Sequence, residues 1–288
     1  MDKSLAEAPC LLRQSNGTTL YATRDLAGLF QRWEEFRFER CLYVVGAEQK
    51  LHFRQLKAVL KRMKLEWEAR VEHVDFGLLL GPGRIKLASR KGEVLVLDDL
   101  VDEVVEEARR ILAEKQAAME AEERVPEGQL AEVAEAVGIG ALCFNDQKRE
   151  RIKDVLFDKA EILSFEGDTG PYVQYTHARF TRILRKAETA GQGRGTPDWA
   201  LLTEAGLILL QFARFPDVLR SAAERCEPSE LAQYLLALCR ELNNWYREQR
   251  VLDQDPALTV ARLALARASK TVLGNGLRLL GLHAPEQM

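Results

Sequence analysis

The apolar run CLYVVGA (Cys41–Ala47) ends in glycine, passes into an amphipathic stretch, and is followed by a second run, EHVDFGLLL (Glu72–Leu80). A continuous apolar run of this length suits a buried strand of a parallel sheet. Two parallel strands in succession require a crossover between them. The intervening HFRQLKAVLKRMKL (His52–Leu65) supplies one: Phe53, Leu56, Val59, Leu60 and Met63 fall on a single helical stripe. Upstream, GTTLYAT (Gly17–Thr23) follows an Asn16-Gly17 turn signal and reads as a short strand. In DLAGLFQRWEEF (Asp25–Phe36), Leu26, Leu29, Phe30 and Trp33 share a helical face. The alternation predicts a piece of a doubly wound α/β sheet, with too few strands to make a whole domain of that kind.

From about Val101 the pattern is helical almost throughout. A long charged amphipathic segment comes first, followed by Gly128–Gly138, Glu150–Phe157 and Pro171–Ala190. The Gly-rich AGQGRGTPD (Ala190–Asp198) is a break, after which helices are expected over Trp199–Arg214, Asp217–Cys226, Pro228–Arg250 and Pro256–Gly281. Phe215-Pro216 reads as an interruption, Pro228 and Pro256 as first-turn prolines, and Asp255 as an N-cap. Short links between amphipathic helices predict an antiparallel bundle. Two domains follow, 1–125 and 126–288.

The bulk numbers exclude several classes. The chain has 288 residues, 47% hydrophobic and 30% charged, with a formal net charge of −3, so a nucleic-acid contact would have to use a local patch. Cys10, Cys41, Cys143, Cys226 and Cys239 form no C-x-x-C pair and read as reduced filler. No signal peptide and no membrane-length apolar run is present, so a cytoplasmic protein is expected. The four histidines show no metal-ligand spacing. His52 and His283 read as surface residues, while His73 and His177 stay open.

Four stretches could carry chemistry. In YATRD, Tyr21 and Asp25 lie four apart, so a phenol and a carboxylate can flank a guanidinium; the same residues also suit a plain helix start. In VVGAEQ, Gly46 ends a strand where open α/β sheets bind ligands, with Glu48 and Gln49 at the mouth; a solvated turn would look the same. GPGRIKLASRKG (Gly81–Gly92) is either a basic turn or a phosphate-holding loop. In GPYVQYTHARFTRILRK, Arg179, Arg182 and Lys186 make a basic stripe preceded by Tyr172 and Tyr175. That suits phosphates and stacked bases, or a solvated helix face.

Taken in order, TLYATRDLA, YVVGAEQKLHF, HVDFGLLLG…KLASRKG, LSFEGDTGPYVQYTHAR and ARLALARASKTVLGNGLRLLGLHAPEQM resemble the C-terminal half of the arginyl-tRNA synthetases, a class I family, over essentially the whole chain. The resemblance implies half of a nucleotide-binding catalytic fold followed by an all-α anticodon-binding bundle. It implies that Tyr21, Asp25 and Gln49 face the arginine substrate. Gly46, Glu48 and Gln49 would lie by the adenosine of ATP. KLASRKG would be the family's KMSKS-type loop, with Lys86, Ser89 and Arg90 as catalytic contacts to the triphosphate and Lys86 also holding ATP. Tyr172, Gln174, Tyr175, Arg179, Arg182 and Met288 would contact arginine tRNA. ATP with Mg2+ is the implied co-substrate, with no protein-bound metal.

The chain also departs from the family. No H-x-G-H occurs, and Leu87 and Ala88 stand where the KMSKS pattern has Met and Ser. The sheet is expected to lack its first βαβ half and to expose an apolar face, implying a separate N-terminal half chain or self-association. Three readings follow: the C-terminal part of a fragmented or split ligase, a truncated paralogue that binds tRNA or protein without catalysis, and a stand-alone enzyme activating arginine for another acceptor. Retained Tyr21, Asp25 and Gln49 favour the first, because a pure binding module needs no arginine pocket.

Overall fold

The computed structural model describes residues 9–81, 97–119, 124–253 and 255–288. Two compact units result: residues up to Leu78 with Ile152–Asp154, and Leu79–Arg151 with Val155–Met288.

In the first unit an antiparallel bridge between Arg13 and Thr19 closes a turn at Asn16-Gly17, where Gly17 takes a φ of +85°. The expected strand over Gly17–Thr23 stops there: helix α1 (Tyr21–Phe36) begins four residues ahead of Asp25. The helix wins because Ala22, Leu26 and Leu29 bury one side of it, with Phe30 and Trp33 packed alongside. Strand β1 (Cys41–Gly46), a single 3-10 turn (Ala47–Gln49) and helix α2 (Lys50–Arg62) follow, and β2 (Val71–Phe76) returns parallel to β1, pairing Cys41 with Val71 and Gly46 with Phe76. The crossover is the one the sequence requires. Phe53, Leu56 and Leu60 of α2 meet Leu29, Trp67 and Val71 in one core, while Met63 is exposed.

Both helices cover the same face of this sheet, which carries Tyr43 and Val45. On the strands' other sides Leu42, Val44 and Phe76 are exposed, Val44 at 66%. Among the described residues no third strand joins β1 and β2. The expected strand over Glu72–Leu80 breaks at Gly77. A Cβ there would stand 2.4 Å from the carbonyl oxygen of Lys153, and the Leu78 amide leaves the ladder to donate to Asp154 Oδ1 at 2.8 Å.

The second unit opens with β3 (Leu79–Leu80), then α3 (Leu97–Ala117), α4 (Leu130–Gln147), β4 (Val155–Leu156), α5 (Lys159–Ile162), α6 (Gly170–Thr189), α7 (Gly206–Arg225), α8 (Pro228–Glu248) and α9 (Pro256–Leu279). Helix was expected over Glu150–Phe157. Instead β4 pairs parallel with β3, and Phe157 N–H donates to Leu80 O at 2.8 Å, so the backbone groups of β3 are met by strand pairing. The expected domain boundary at 125 falls between α3 and α4, which share one core: Leu100, Val104, Ala108 and Leu112 against Ala134, Val137 and Ala141.

A larger core joins α6, α8 and α9 through Phe180, Leu235, Leu242, Leu265 and Leu273. Thr169 caps α6, and Asp255 caps α9 by accepting from the amides of Ala257 and Leu258. Pro216 does not interrupt α7. It is exposed, so the carbonyl it leaves without a partner can be solvated. Tertiary contacts hold the helix: Phe215 stacks on Tyr234, whose hydroxyl donates to Gln211 O at 2.8 Å.

After α9 the tail turns back over the bundle. Gln174 Nε2 donates to His283 O at 3.0 Å, and His177 Nδ1 donates to Pro285 O at 2.9 Å. Lys270 pairs with Glu286, and Met288 is buried. Burial pushes the His177 imidazole below its ordinary 6.5, against the opposing pull of the Pro285 carbonyl. The unfolded chain therefore takes up a proton that the folded chain resists, and His177 contributes stability that is full above about pH 6.5 and declines as the pH falls below it. Melting curves at pH 7 and pH 5 should show a smaller loss for His177→Asn than for the unaltered chain. An equal loss would place the acid sensitivity elsewhere.

Candidate functional site

Each unit carries one constellation. In the first, Asp25 lies one turn into α1 and Tyr21 opens that helix, 79% exposed. Gly46 ends β1, and the turn behind it presents Glu48 and Gln49 at the surface. Helix α2 then places His52 one turn past Gln49. His52 Nε2 lies 2.6 Å from Asp25 Oδ2. Asp25 and Gln49 are thereby brought to the same end of the sheet, with Tyr21 one helical turn from Asp25. His52, read from sequence as a surface residue, is instead half-buried and bonded. Its partner is twenty-seven residues away, so no local spacing could have shown it.

Behind this pair the rings are stacked. His52 stands edge-on to Phe53 with centroids 5.1 Å apart, and Phe53 stacks on His73 at 4.2 Å. His73 Nε2 donates to Val45 O at 2.9 Å. Lys50 Nζ pairs with Asp75 at 2.7 Å. The arrangement offers an acceptor-only carboxylate, one oxygen engaged, next to an exposed phenol and an exposed amide. That is donor-seeking chemistry suited to a planar cation. Lys86, Ser89 and Arg90 lie outside the described residues.

In the second unit the constellation is built on α6. Asn243 of α8 donates through Nδ2 to Tyr172 OH and Thr176 Oγ1, both at 3.0 Å, and its Oδ1 accepts from Arg179 Nη1. The Arg179 guanidinium also lies over the rings of Tyr175 and Tyr246, at 4.9 and 5.2 Å from their centroids. It is therefore fixed between two aromatic faces, while Arg182 and Lys186 continue its stripe along the helix. A groove of about 510 Å3 runs along these side chains and is lined also by Met288. On the other side of Arg179 a second hollow of about 680 Å3 adds Lys115, Phe165, Arg240 and Arg247. Cations alternating with rings can hold phosphates and stack bases.

Two of the expected tRNA contacts, Gln174 and Met288, are buried. Gln174 is 0% exposed, with its amide spent on Ala136 O and His283 O, both at 3.0 Å. It lines neither hollow, and ties α6 to α4 and to the C-terminal tail. Met288 is largely buried in the α3–α4 core and also lines the groove. Sequence spacing does not reveal Asn243 and Tyr246 beside α6, because Asn243 lies 71 residues from Tyr172 and 64 from Arg179.

Comparison with known proteins covers most of the chain with two family models, whose boundary does not follow that of the two units. A family described as "tRNA synthetases class I (R), catalytic domain" matches residues 3–159, more than half of the chain. The chain belongs to the arginyl-tRNA synthetase family. The "DALR anticodon binding domain" matches residues 173–288. Similar curated arginyl-tRNA synthetases include those named "Arginine--tRNA ligase" from Enterococcus faecalis, 43% identical over 97% of this chain and 48% of the relative, and from Streptococcus pneumoniae, 42% identical over 100% and 49%. Among solved structures, the Thermus thermophilus arginyl-tRNA synthetase aligns with a TM-score of 0.81 at 30% identity, covering 99% of this chain and 53% of that one. A Plasmodium falciparum arginyl-tRNA synthetase aligns at TM-score 0.74 and 23% identity, covering 96% of this chain and 46% of that one, which speaks to the fold. The chain spans about half the length of the curated relatives it matches. Among the described residues, no helix is long and apolar enough to cross a membrane.

Proposed function

We propose that this chain supplies the arginine pocket, part of the ATP site and the tRNA-binding bundle of an arginine–tRNA ligase acting in cytoplasmic translation. The observation that carries the reading is the Asp25 carboxylate. It is held at one oxygen by His52 of the helix that follows β1, and stands a turn from an exposed tyrosine. Asp25 accepts the guanidinium fork, Tyr21 adds a phenolic contact and Gln49 an amide contact. Gly46 lets the nucleotide approach the strand end, with Glu48 and Gln49 beside the adenosine. Lys86, Ser89 and Arg90 are proposed to meet the triphosphate, with Mg2+ as companion of its phosphates. The reaction is attack of the arginine carboxylate on the α-phosphorus of ATP, releasing pyrophosphate, followed by transfer of the arginyl group to the terminal ribose of tRNA. Such chemistry depends on positioning and on cations set against developing charge.

The 288 residues contain no H-x-G-H, and the sheet of the first unit leaves Leu42, Val44 and Phe76 uncovered. Both features favour a second polypeptide segment that completes the phosphate wall and covers this face. They also keep open the reading of a non-catalytic tRNA- or protein-binding module. ATP–pyrophosphate exchange with arginine and tRNA separates the two. It should be absent for this chain alone and appear on adding a separately produced H-x-G-H-bearing half. No exchange with that half, alongside intact tRNA binding, would establish the binding module.

The bundle is tested by titration with arginine tRNA. Arg179→Ala should weaken binding roughly tenfold and lower the slope of log K against log salt by about 1, as expected for one lost phosphate contact. An unchanged slope would show that Arg179 only packs between its tyrosines.

A further inference from the structure

The contact between Asp25 and His52 joins α1, which carries Tyr21 and Asp25, to α2, which begins directly after Gln49. A carboxylate can only accept, so the imidazole Nε2–H donates across the 2.6 Å to Asp25 Oδ2. The donor is braced. His52 is 23% exposed at its side chain, its ring abuts Phe53, Phe53 stacks on His73, and His73 is tied to the backbone of β1 at Val45. The ring stack thus links the sheet to one oxygen of the carboxylate.

Fixing one oxygen matters because χ2 of an aspartate is a soft, broad torsion. A free carboxylate spins its plane, which an ammonium tolerates because it is a compact point charge. A guanidinium does not, because its two parallel N–H bonds require the two planes to coincide. We propose that His52 is a positioning residue that sets the plane of the Asp25 carboxylate and thereby the preference for a guanidinium over an ammonium. The proposal rests on the reading of Asp25 as an arginine contact. His52 itself need not touch the substrate.

The test is a titration of the isotope-labelled chain with arginine and with lysine, followed by NMR shifts at Tyr21, Asp25 and Gln49. His52→Phe keeps the ring and removes the donor, while His52→Gln returns an N–H at about the reach of Nε2. The phenylalanine variant should lose about tenfold to a hundredfold in arginine affinity, the range for a hydrogen bond to a charged group. It should change less than about twofold toward lysine, and the glutamine variant should recover most of the arginine affinity. A downfield His52 Nε2 proton that disappears in Asp25→Ala would report the bond directly. If His52→Phe does not fold, His52→Asn, whose amide falls short of Asp25, takes its place.

Arginine binding and selectivity unchanged in the donorless variant would overturn the proposal and leave the pocket intact. Equal losses for arginine and lysine would reduce His52 to packing and overturn it too. No arginine-dependent shift in the unaltered chain at millimolar ligand would overturn the pocket reading, and this proposal with it.

Discussion

Asp25→Ala should lower arginine affinity by at least about thirtyfold, some 2 kcal/mol, while leaving the fold intact. The substitution removes the only carboxylate assigned to the guanidinium and leaves that group to be desolvated without a counter-charge. The cost to folding is smaller, on the order of 1 kcal/mol, because Asp25 is half exposed and gives up a single bond to His52. Calorimetric titration with arginine and a thermal melt separate the two effects. Asp25→Asn sharpens the comparison, since its amide oxygen can still accept from His52 while the charge is gone. If the asparagine variant bound arginine as well as the unaltered chain, geometry rather than charge would govern the pocket. If the alanine variant did so, the pocket would lie elsewhere.

Arg262→Ala should have the largest effect on stability, about 3–5 kcal/mol. Arg262 is 6% exposed, yet its guanidinium reaches four acceptors: Arg250 O at 2.7 Å, Gln249 Oε1 at 2.6 Å, Glu204 Oε1 at 3.1 Å and Asp253 Oδ2 at 3.4 Å. It stitches the start of α9 to the end of α8 and to the turn before α7. Burial pushes the Glu204 carboxyl up, but hydrogen bonds from its own backbone and from Arg262 outweigh that and hold it below the ordinary range. Deleting the cation takes the counter-charge from Glu204 and unpairs the carbonyl of Arg250 and the amide oxygen of Gln249, which is why the loss should exceed that of an exposed ion pair. For a unit of this size a loss of 3–5 kcal/mol lowers the melting midpoint by roughly 10 °C. Because the chain has two compact units, calorimetry should show the transition of the second unit moving and the other staying. Movement of both would mean that the units unfold together.

The sequence made the βαβ crossover legible because its signals are local: an apolar run closed by Gly46, a helical stripe, a second apolar run. The caps at Thr169 and Asp255 belong to the same class, with Asp255 read in advance. What stayed hidden depends on distance. Nothing around Glu150–Phe157 announces that Leu79 and Leu80 will pair with Val155 and Leu156. Pro216 carries a strong breaker signal, overridden by Phe215 and Gln211 anchoring to Tyr234. At the candidate sites, Tyr21, Asp25, Gln49 and Arg179 stand out in the sequence as residue types at helical or strand-end spacing. The partners that orient them, His52 and Asn243, sit on other elements and leave no mark in the local pattern. Gln174 shows the opposite failure: a polar residue amid a basic, aromatic stretch looks like a ligand contact until its complete burial is seen.

The manner in which the C-terminal tail is fastened has a consequence for how the groove can change. Gln174 and His177 grip the main-chain carbonyls of His283 and Pro285, so the path of the tail is fixed without reference to the side chains at those positions. The mount is written into α6 and the rim into the tail, and the two can be edited separately. Exchanging Gln287, which lines the groove, would then recolour its lip while leaving its contour alone. A rim of that kind can be changed in charge and shape by single substitutions, at little risk to the bundle that carries it.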